Sequence, residues 1–176
     1  MQLLLDSRAR IDSLPARKKK LATTRIAELL SPEDILLDLE VSCKDQLIEQ
    51  ISRHMQRVHG LAHHTVALGL FHREQIASTA LGEGVAIPHA RVKDLERIRV
   101  AYARVRSPIP FDAPDGKAVI EALVLLVPKQ ATEEHLEILA EATQMLSDRR
   151  FREQLERCRR PMEVKRLFDS WPVATL

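Results

Sequence analysis

The sequence predicts a single α/β domain, a sandwich in which helices flank a mixed central sheet. Three observations favour this class. Segments with strand patterns intermix along the chain with segments of helical periodicity. The run VIEALVLLV, residues 119–127, is almost continuously apolar, as expected of an interior strand covered on both faces. A chain of 176 residues suits one core and leaves little room for a second.

The first half of the domain reads as a strand followed by two helices. A turn at Ser31-Pro32 precedes a strand over residues 35–39. Ser42 is placed to cap a helix whose apolar residues recur at helical spacing and which Gly60 ends. A second helix is expected over residues 64–74.

The second half begins with short strands. Residues 85–87 predict a short strand, and Pro88 is expected to stop its pairing, so that His89 falls just past the strand end. Residues 98–105 predict a further strand, and the proline-rich SPIPFDAPDGK predicts a long turn before the buried strand.

Three helices are predicted at the end of the chain. Thr132 is placed to cap a helix over residues 133–146, with Glu133 and Glu134 favourably placed at its positive end. Helices over residues 149–159 and 161–170 follow.

Composition excludes several classes of protein. No apolar run approaches the roughly 18 residues that a membrane helix needs, and the N-terminus lacks the features of a signal peptide. We therefore expect a cytoplasmic protein without stable membrane insertion. Cys43 and Cys158 lie outside metal-ligand and CxxC spacings, so both are expected to be reduced.

Residues 1–25 form a basic arm, which we expect to be flexible and separate from a domain over residues 26–176. The arm holds seven Lys or Arg against two Asp, a net charge of +5 in a chain whose total is +2. It has no interleaved aromatic residues for base stacking, so nucleic-acid binding is a minor hypothesis.

The stretch GEGVAIPHAR indicates phosphoryl chemistry at His89. Gly82 and Gly84 remove side chains where the backbone can turn its N–H groups toward an anion. A neutral imidazole nitrogen is a suitable nucleophile near neutral pH. We therefore predict that His89 carries a phosphoryl group.

Further residues are candidates for holding that group. Arg73 and Arg91 flank the motif, and the planar fork of an arginine bonds phosphate oxygens in pairs. Ser78 and Thr79 offer hydroxyl donors, or simply shape the loop. His135 lies in the first turn of the helix after the central strand, where it is either a packed histidine or a partner of His89.

The run HREQIASTALGEGVAIPHAR closely resembles the phosphorylation-site segment of enzyme IIA domains of the fructose and mannitol type in the bacterial phosphotransferase system. VLLVPKQATEEHLEILAEATQML resembles the second signature of that family. The resemblance implies that His89 accepts a phosphoryl group through Nε2 from a histidine-containing phosphocarrier protein, with His135 and Arg73 beside it. Ala80 and Ala90 depart from the family by replacing glycine, which would strain the loop if either position has a positive φ.

Within the family, the chain is most similar to the nitrogen-regulatory branch, which implies control of regulatory target proteins such as kinases or transporters and requires no cofactor. The alternative is a sugar-specific enzyme IIA that passes the phosphoryl group to an enzyme IIB. A metal-dependent hydrolase is a remote third hypothesis; the candidate ligands would be His59, His63, His64 and His72, although no HExxH motif accompanies them.

Overall fold

The computed structural model describes residues 23–130 and 133–172. Most of the basic arm and the predicted cap Thr132 lie outside these residues. Among the described helices, none is long and apolar enough to cross a membrane. Cys43 and Cys158 form no disulfide.

Six helices and six strands make up the described chain. The helices are α1 (Arg25–Leu29), α2 (Lys44–His59), α3 (His63–Ile76), α4 (Glu133–Ser147), α5 (Arg149–Arg157) and α6 (Pro161–Asp169). The strands are β1 (Leu30–Leu39), β2 (Ala80–Gly82), β3 (Val85–Ala86), β4 (His89–Val92), β5 (Arg99–Ile109) and β6 (Val119–Pro128).

The six strands form one mixed sheet in the order β1-β5-β6-β3-β2, and β4 also pairs with β6. The central β5 and β6 are antiparallel, whereas β1 pairs with β5 in parallel. Strands β3 and β4 pair in parallel with successive parts of β6, Val85 opposite Glu121 and His89 opposite Leu125. The single-domain α/β fold with a mixed sheet is confirmed.

Helices cover both faces of the sheet. α2 and α3 pack on one face, and α1, α4, α5 and α6 pack on the other, each with its own cluster of buried apolar residues. Because β6 is covered on both sides, residues 121–127 are all buried. This explains the continuous apolar run in the sequence.

Several predicted boundaries were wrong. Pro88 does not end the pairing, because β4 begins at His89 and the Pro88 carbonyl accepts a hydrogen bond from the Leu125 N–H. Ser31 and Pro32 lie inside β1, where the register with β5 is irregular. The expected turn at Ser107 is part of β5, and α2 begins at Lys44 with Cys43 at its N-cap.

α1 joins the domain through its capping interactions. The side chain of Thr24 accepts a hydrogen bond from the Ala27 N–H, and Glu141 of α4 accepts hydrogen bonds from the backbone N–H groups of Arg25 and Ile26. The start of the chain's first described helix is thereby fixed to α4, the helix that carries His135.

A buried carboxyl group, Glu121, faces the layer of α4 to α6. It is 1% exposed and accepts a hydrogen bond of 2.7 Å from the Tyr102 hydroxyl. Burial raises its pKa to about 7, since desolvation outweighs the opposing effect of that hydrogen bond. The carboxyl is therefore protonated in the folded protein at pH values where it is charged in the unfolded chain.

We predict that Glu121→Gln removes a pH-dependent loss of stability. In the wild-type protein, the contribution of Glu121 to the free energy of unfolding is fully present below the pKa that this group has in the unfolded chain. It is lost as pH rises through the pKa of the group in the folded protein, a change of about 3 kcal/mol. Urea unfolding at pH 5 and pH 8 should show the variant gaining stability relative to wild type at the higher pH. Glu137→Gln, an exposed control, should show no such gain; equal behaviour of the two variants would contradict the prediction.

Candidate functional site

A cavity of about 380 Å³ opens beside His89 where four elements meet. α3, β4, β6 and α4 each contribute to its wall. Its floor is apolar and its mouth carries basic side chains; the lining residues are Gly69, His72, Arg73, Ile76, His89, Ala90, Arg91, Leu125, Val127, His135 and Leu139.

His89 is the first residue of β4, and two hydrogen bonds fix its ring. Nδ1 lies 2.8 Å from the Ile87 carbonyl oxygen and donates to it. Nε2 lies 3.1 Å from Nε of Arg73, which donates to it. A carbonyl only accepts and a guanidinium only donates, so the ring is neutral with its proton on Nδ1 and a lone pair on Nε2.

Arg73 reaches His89 from the last turn of α3. Its Nη1 also donates a 2.8 Å hydrogen bond to the Ala77 carbonyl, just beyond the helix end. The guanidinium is therefore held at two points, with its plane beside Nε2 of His89. A guanidinium in this position can donate hydrogen bonds to the oxygens of a phosphoryl group bonded to that nitrogen.

Glu74 ties the end of α3 to the loop that precedes β2. This carboxylate is buried, accepts hydrogen bonds from the Thr79 N–H and hydroxyl, and lies 3.8 Å from Nζ of Lys44. Sequence reasoning did not select Glu74 as a candidate site residue. Its hydrogen bonds to Thr79 fix the segment that follows the last turn of α3, the turn that carries Arg73.

Arg91 and His135 complete the basic mouth of the cavity. Arg91 lies two residues after His89 on β4, hence on the same face of the strand, and is exposed. His135, the third residue of α4, is half-buried and lines the same cavity. The structure thus brings together four of the predicted residues, His89, Arg73, Arg91 and His135.

The surroundings of His89 keep its ring uncharged. Burial lowers the pKa of the imidazole below its ordinary value, and the nearby Arg73 and His135 lower it further, against the opposing effects of the Ile87 carbonyl and Glu74. The nucleophilic form of the ring therefore persists below the pH at which an exposed histidine protonates.

Ser78 and Thr79 are not among the residues that line the cavity. The Ser78 hydroxyl donates a 2.6 Å hydrogen bond to the Phe111 carbonyl, and the Thr79 hydroxyl donates one of 2.6 Å to Glu74. Both side chains therefore hold the loop after α3 in place. These contacts fit the alternative prediction from the sequence, in which the two hydroxyls shape the loop.

Gly82 and Gly84 are distant from His89. They bracket the tight turn between β2 and β3, with φ of 99° and 80°. The Gly84 carbonyl accepts a hydrogen bond from the Ile120 N–H, five residues along β6 from the partner of His89, a separation of about 16 Å. The prediction that these glycines form an anion-binding loop at His89 is therefore wrong. A Cβ on Gly82 would lie 3.1 Å from the side chain of Asp115.

The two alanines that depart from the family pattern carry no strain. Neither Ala80 nor Ala90 is among the residues with positive φ, so a side chain at either position costs nothing in backbone conformation.

The histidines considered as metal ligands bind separate partners. His59 shares the buried carboxylate of Asp34 with His54, whereas His63 lies 2.9 Å from Glu49. Over residues 23–130 and 133–172, no group of three His, Cys, Asp or Glu side chains is arranged to hold a metal ion. His72 is exposed at the cavity instead.

Two contributors to the site were missed in the sequence. The Ile87 carbonyl carries no sequence signal, since every residue has one. Gly69, in the middle of α3, did carry a signal, because glycine is unfavourable inside a helix and usually marks a close approach.

Comparison with known proteins identifies the family of the chain. Residues 28–171 match the family described as "Phosphoenolpyruvate-dependent sugar phosphotransferase system, EIIA 2". A "Nitrogen regulatory protein" of Bradyrhizobium diazoefficiens is 37% identical over 123 residues, which are 70% of this chain and 80% of that protein.

Solved structures resemble the fold closely. The nitrogen regulatory protein IIA-Ntr of Neisseria meningitidis is 41% identical, with a TM-score of 0.78 over 82% of this chain and 99% of that one. IIA mannitol of Escherichia coli, 20% identical, shares the fold with a TM-score of 0.67 over 78% and 97% of the two chains. The chain therefore belongs to the EIIA 2 family of the phosphotransferase system and is most similar to its nitrogen-regulatory branch.

Proposed function

We propose that this protein carries a phosphoryl group on Nε2 of His89, accepts it from a histidine-containing phosphocarrier protein, and regulates partner proteins by its phosphorylation state. The observation that carries the proposal is the pair of hydrogen bonds on the His89 ring. They leave the lone pair on the nitrogen that faces the cavity and Arg73.

The transfer is an exchange of one N–P bond for another. The Nε2 lone pair of His89 bonds to phosphorus while the N–P bond of the donor's phosphohistidine breaks and returns its electron pair to the donor ring. The His89 ring gains positive charge in this step, and the Ile87 carbonyl, which accepts a hydrogen bond from Nδ1–H, stabilises that charge. No cofactor or metal takes part.

The phosphoryl oxygens are met by the basic mouth of the cavity. The Nε–H of Arg73, which donates to Nε2 of His89 in the unphosphorylated protein, then donates to these oxygens. Arg91 lies on the same side of β4 as His89. His135 stands beside the reacting ring and assists onward transfer. Charge on the transferred group is spread over three oxygens, so positioned donors supply most of the catalysis.

The partner docks on apolar side chains around this cavity. Leu68 and Ile76 of α3 and Leu136 of α4 are 65%, 71% and 59% exposed, large fractions for aliphatic residues. Ile76 lines the cavity and Leu136 follows His135. A dianionic group added at the centre of this surface changes which partners bind it.

We place this regulatory role in the cytoplasm, with kinases or transporters as targets. The relatives named as nitrogen regulatory proteins, at 37% and 41% identity, support regulation as the role. The alternative is sugar uptake, which the family description of a sugar phosphotransferase system supports. The two roles differ in what the phosphorylated protein does. The sugar role requires transfer from His89 to a cysteine of an enzyme IIB, and the regulatory role requires partner binding that depends on phosphorylation.

We predict that incubation with a phosphoenolpyruvate-energised phosphocarrier relay adds one phosphoryl group to the protein, stable in base and labile in acid. His89→Ala should reduce labelling to background because the acceptor nitrogen is gone. His135→Ala, the matched control in the same cavity, should retain the label but pass it on about tenfold more slowly. Intact-protein mass spectrometry follows the modification; full labelling of His89→Ala would refute the proposal.

The imidazole of His89 should titrate below the ordinary histidine value of about 6.5. Because burial and Arg73 both disfavour the charged ring, Arg73→Ala should raise this pKa and slow phosphorylation about 100-fold, whereas Arg53→Ala, a surface change on α2, should alter neither. NMR titration of the histidine ring signals measures the pKa. An unchanged His89 pKa in Arg73→Ala would contradict the assigned contact.

A further inference from the structure

Gly69 and Ala90 form a close contact between α3 and β4 beside the site. A Cβ placed on Gly69 would lie 3.2 Å from the Ala90 Cβ and 3.6 Å from the Arg91 carbonyl oxygen. Spacing of 3.2 Å is tighter than side chains normally tolerate, so α3 rests on β4 at a separation that requires glycine at this position. The φ of Gly69 is not positive, so the requirement is one of space alone.

This contact lies one helical turn before Arg73. Residues four apart share a face of a helix, so the turn of α3 that touches Ala90 is followed directly by the turn that carries Arg73 to His89. His89 is itself the residue before Ala90 on β4. The Gly69–Ala90 spacing therefore sets the distance between the two elements whose side chains form the 3.1 Å hydrogen bond.

The alanine at position 90 forms the strand side of this contact. Its methyl group is the nearest neighbour of the position that a Cβ on Gly69 would take. Glycine on the helix side leaves room for that methyl group. The pair can then be exchanged as a unit, with alanine on the helix and glycine on the strand.

We infer that Gly69 is a positioning residue for phosphoryl transfer: its missing side chain lets α3 approach Ala90 closely enough for Arg73 to engage Nε2 of His89. The effect of Gly69 on phosphoryl transfer rests on the proposed function of His89. The positioning itself is a property of the unphosphorylated protein and is measured separately.

The test compares Gly69→Ala, Gly69→Val, Ala90→Gly and the exchange Gly69→Ala/Ala90→Gly in the full chain. A Cβ at position 69 should push α3 outward by a few tenths of an ångström and slow acceptance of the phosphoryl group about fivefold, and valine should slow it more. The exchange restores the space and should return the rate to within a factor of two of wild type.

A second readout separates positioning from general stability. Moving Arg73 away should raise the His89 pKa in Gly69→Ala, and the exchange should lower it again; thermal unfolding reports stability independently. An unchanged rate and pKa in Gly69→Ala, or losses that the exchange does not repair, would overturn the inference. Failure of wild-type protein to accept label at His89 would refute the proposed function, and the pKa series would still decide the role of Gly69.

Discussion

The hydrogen bond from Nδ1 of His89 to the Ile87 carbonyl is the constraint on which the site depends. It determines which ring nitrogen keeps the lone pair, and hence where a phosphoryl group bonds. Pro88 lies between the two residues that form this bond. It separates β3 from β4, and the ring of the next residue turns back to the Ile87 carbonyl while the Pro88 carbonyl resumes pairing with β6. A break in one strand thus becomes the device that orients the nucleophile.

The layers of the fold bring the remaining groups to that ring. On the face covered by α2 and α3, the sheet presents small side chains at many buried positions: Ala86, Ala90, Ala101, Ala103 and Ala122. Small residues let helices approach a sheet closely, and the last turn of α3 carries Arg73 at the sheet margin, next to β4. α4, from the opposite layer, contributes His135. The site therefore lies where both helical layers meet the end of the sheet, and its geometry depends on how closely each layer packs.

The sequence was sufficient for the fold class, the buried strand β6 and four of the residues that meet at the cavity, because periodicity and the order of the motif carry that information. It misplaced Gly82 and Gly84, since a tight hairpin and an anion-binding loop both require glycine with positive φ and give the same signal. It ended the sheet at Pro88, although proline lacks only its own N–H and its carbonyl still pairs. The orientation of His89, the support from Glu74 and the fit of Gly69 against Ala90 depend on contacts between distant segments, which one sequence does not specify.

The tautomer of His89 is the most direct measure of the central claim. In unphosphorylated protein with ¹⁵N-labelled histidine, two-bond ¹H–¹⁵N correlation spectra distinguish a protonated from an unprotonated ring nitrogen. Above the His89 pKa, the signals of this residue should show the proton on Nδ1 and a lone pair on Nε2, and phosphorylation should shift the Nε2 signal. A neutral ring with its proton on Nε2, or a phosphoryl group bonded to Nδ1, would contradict the account.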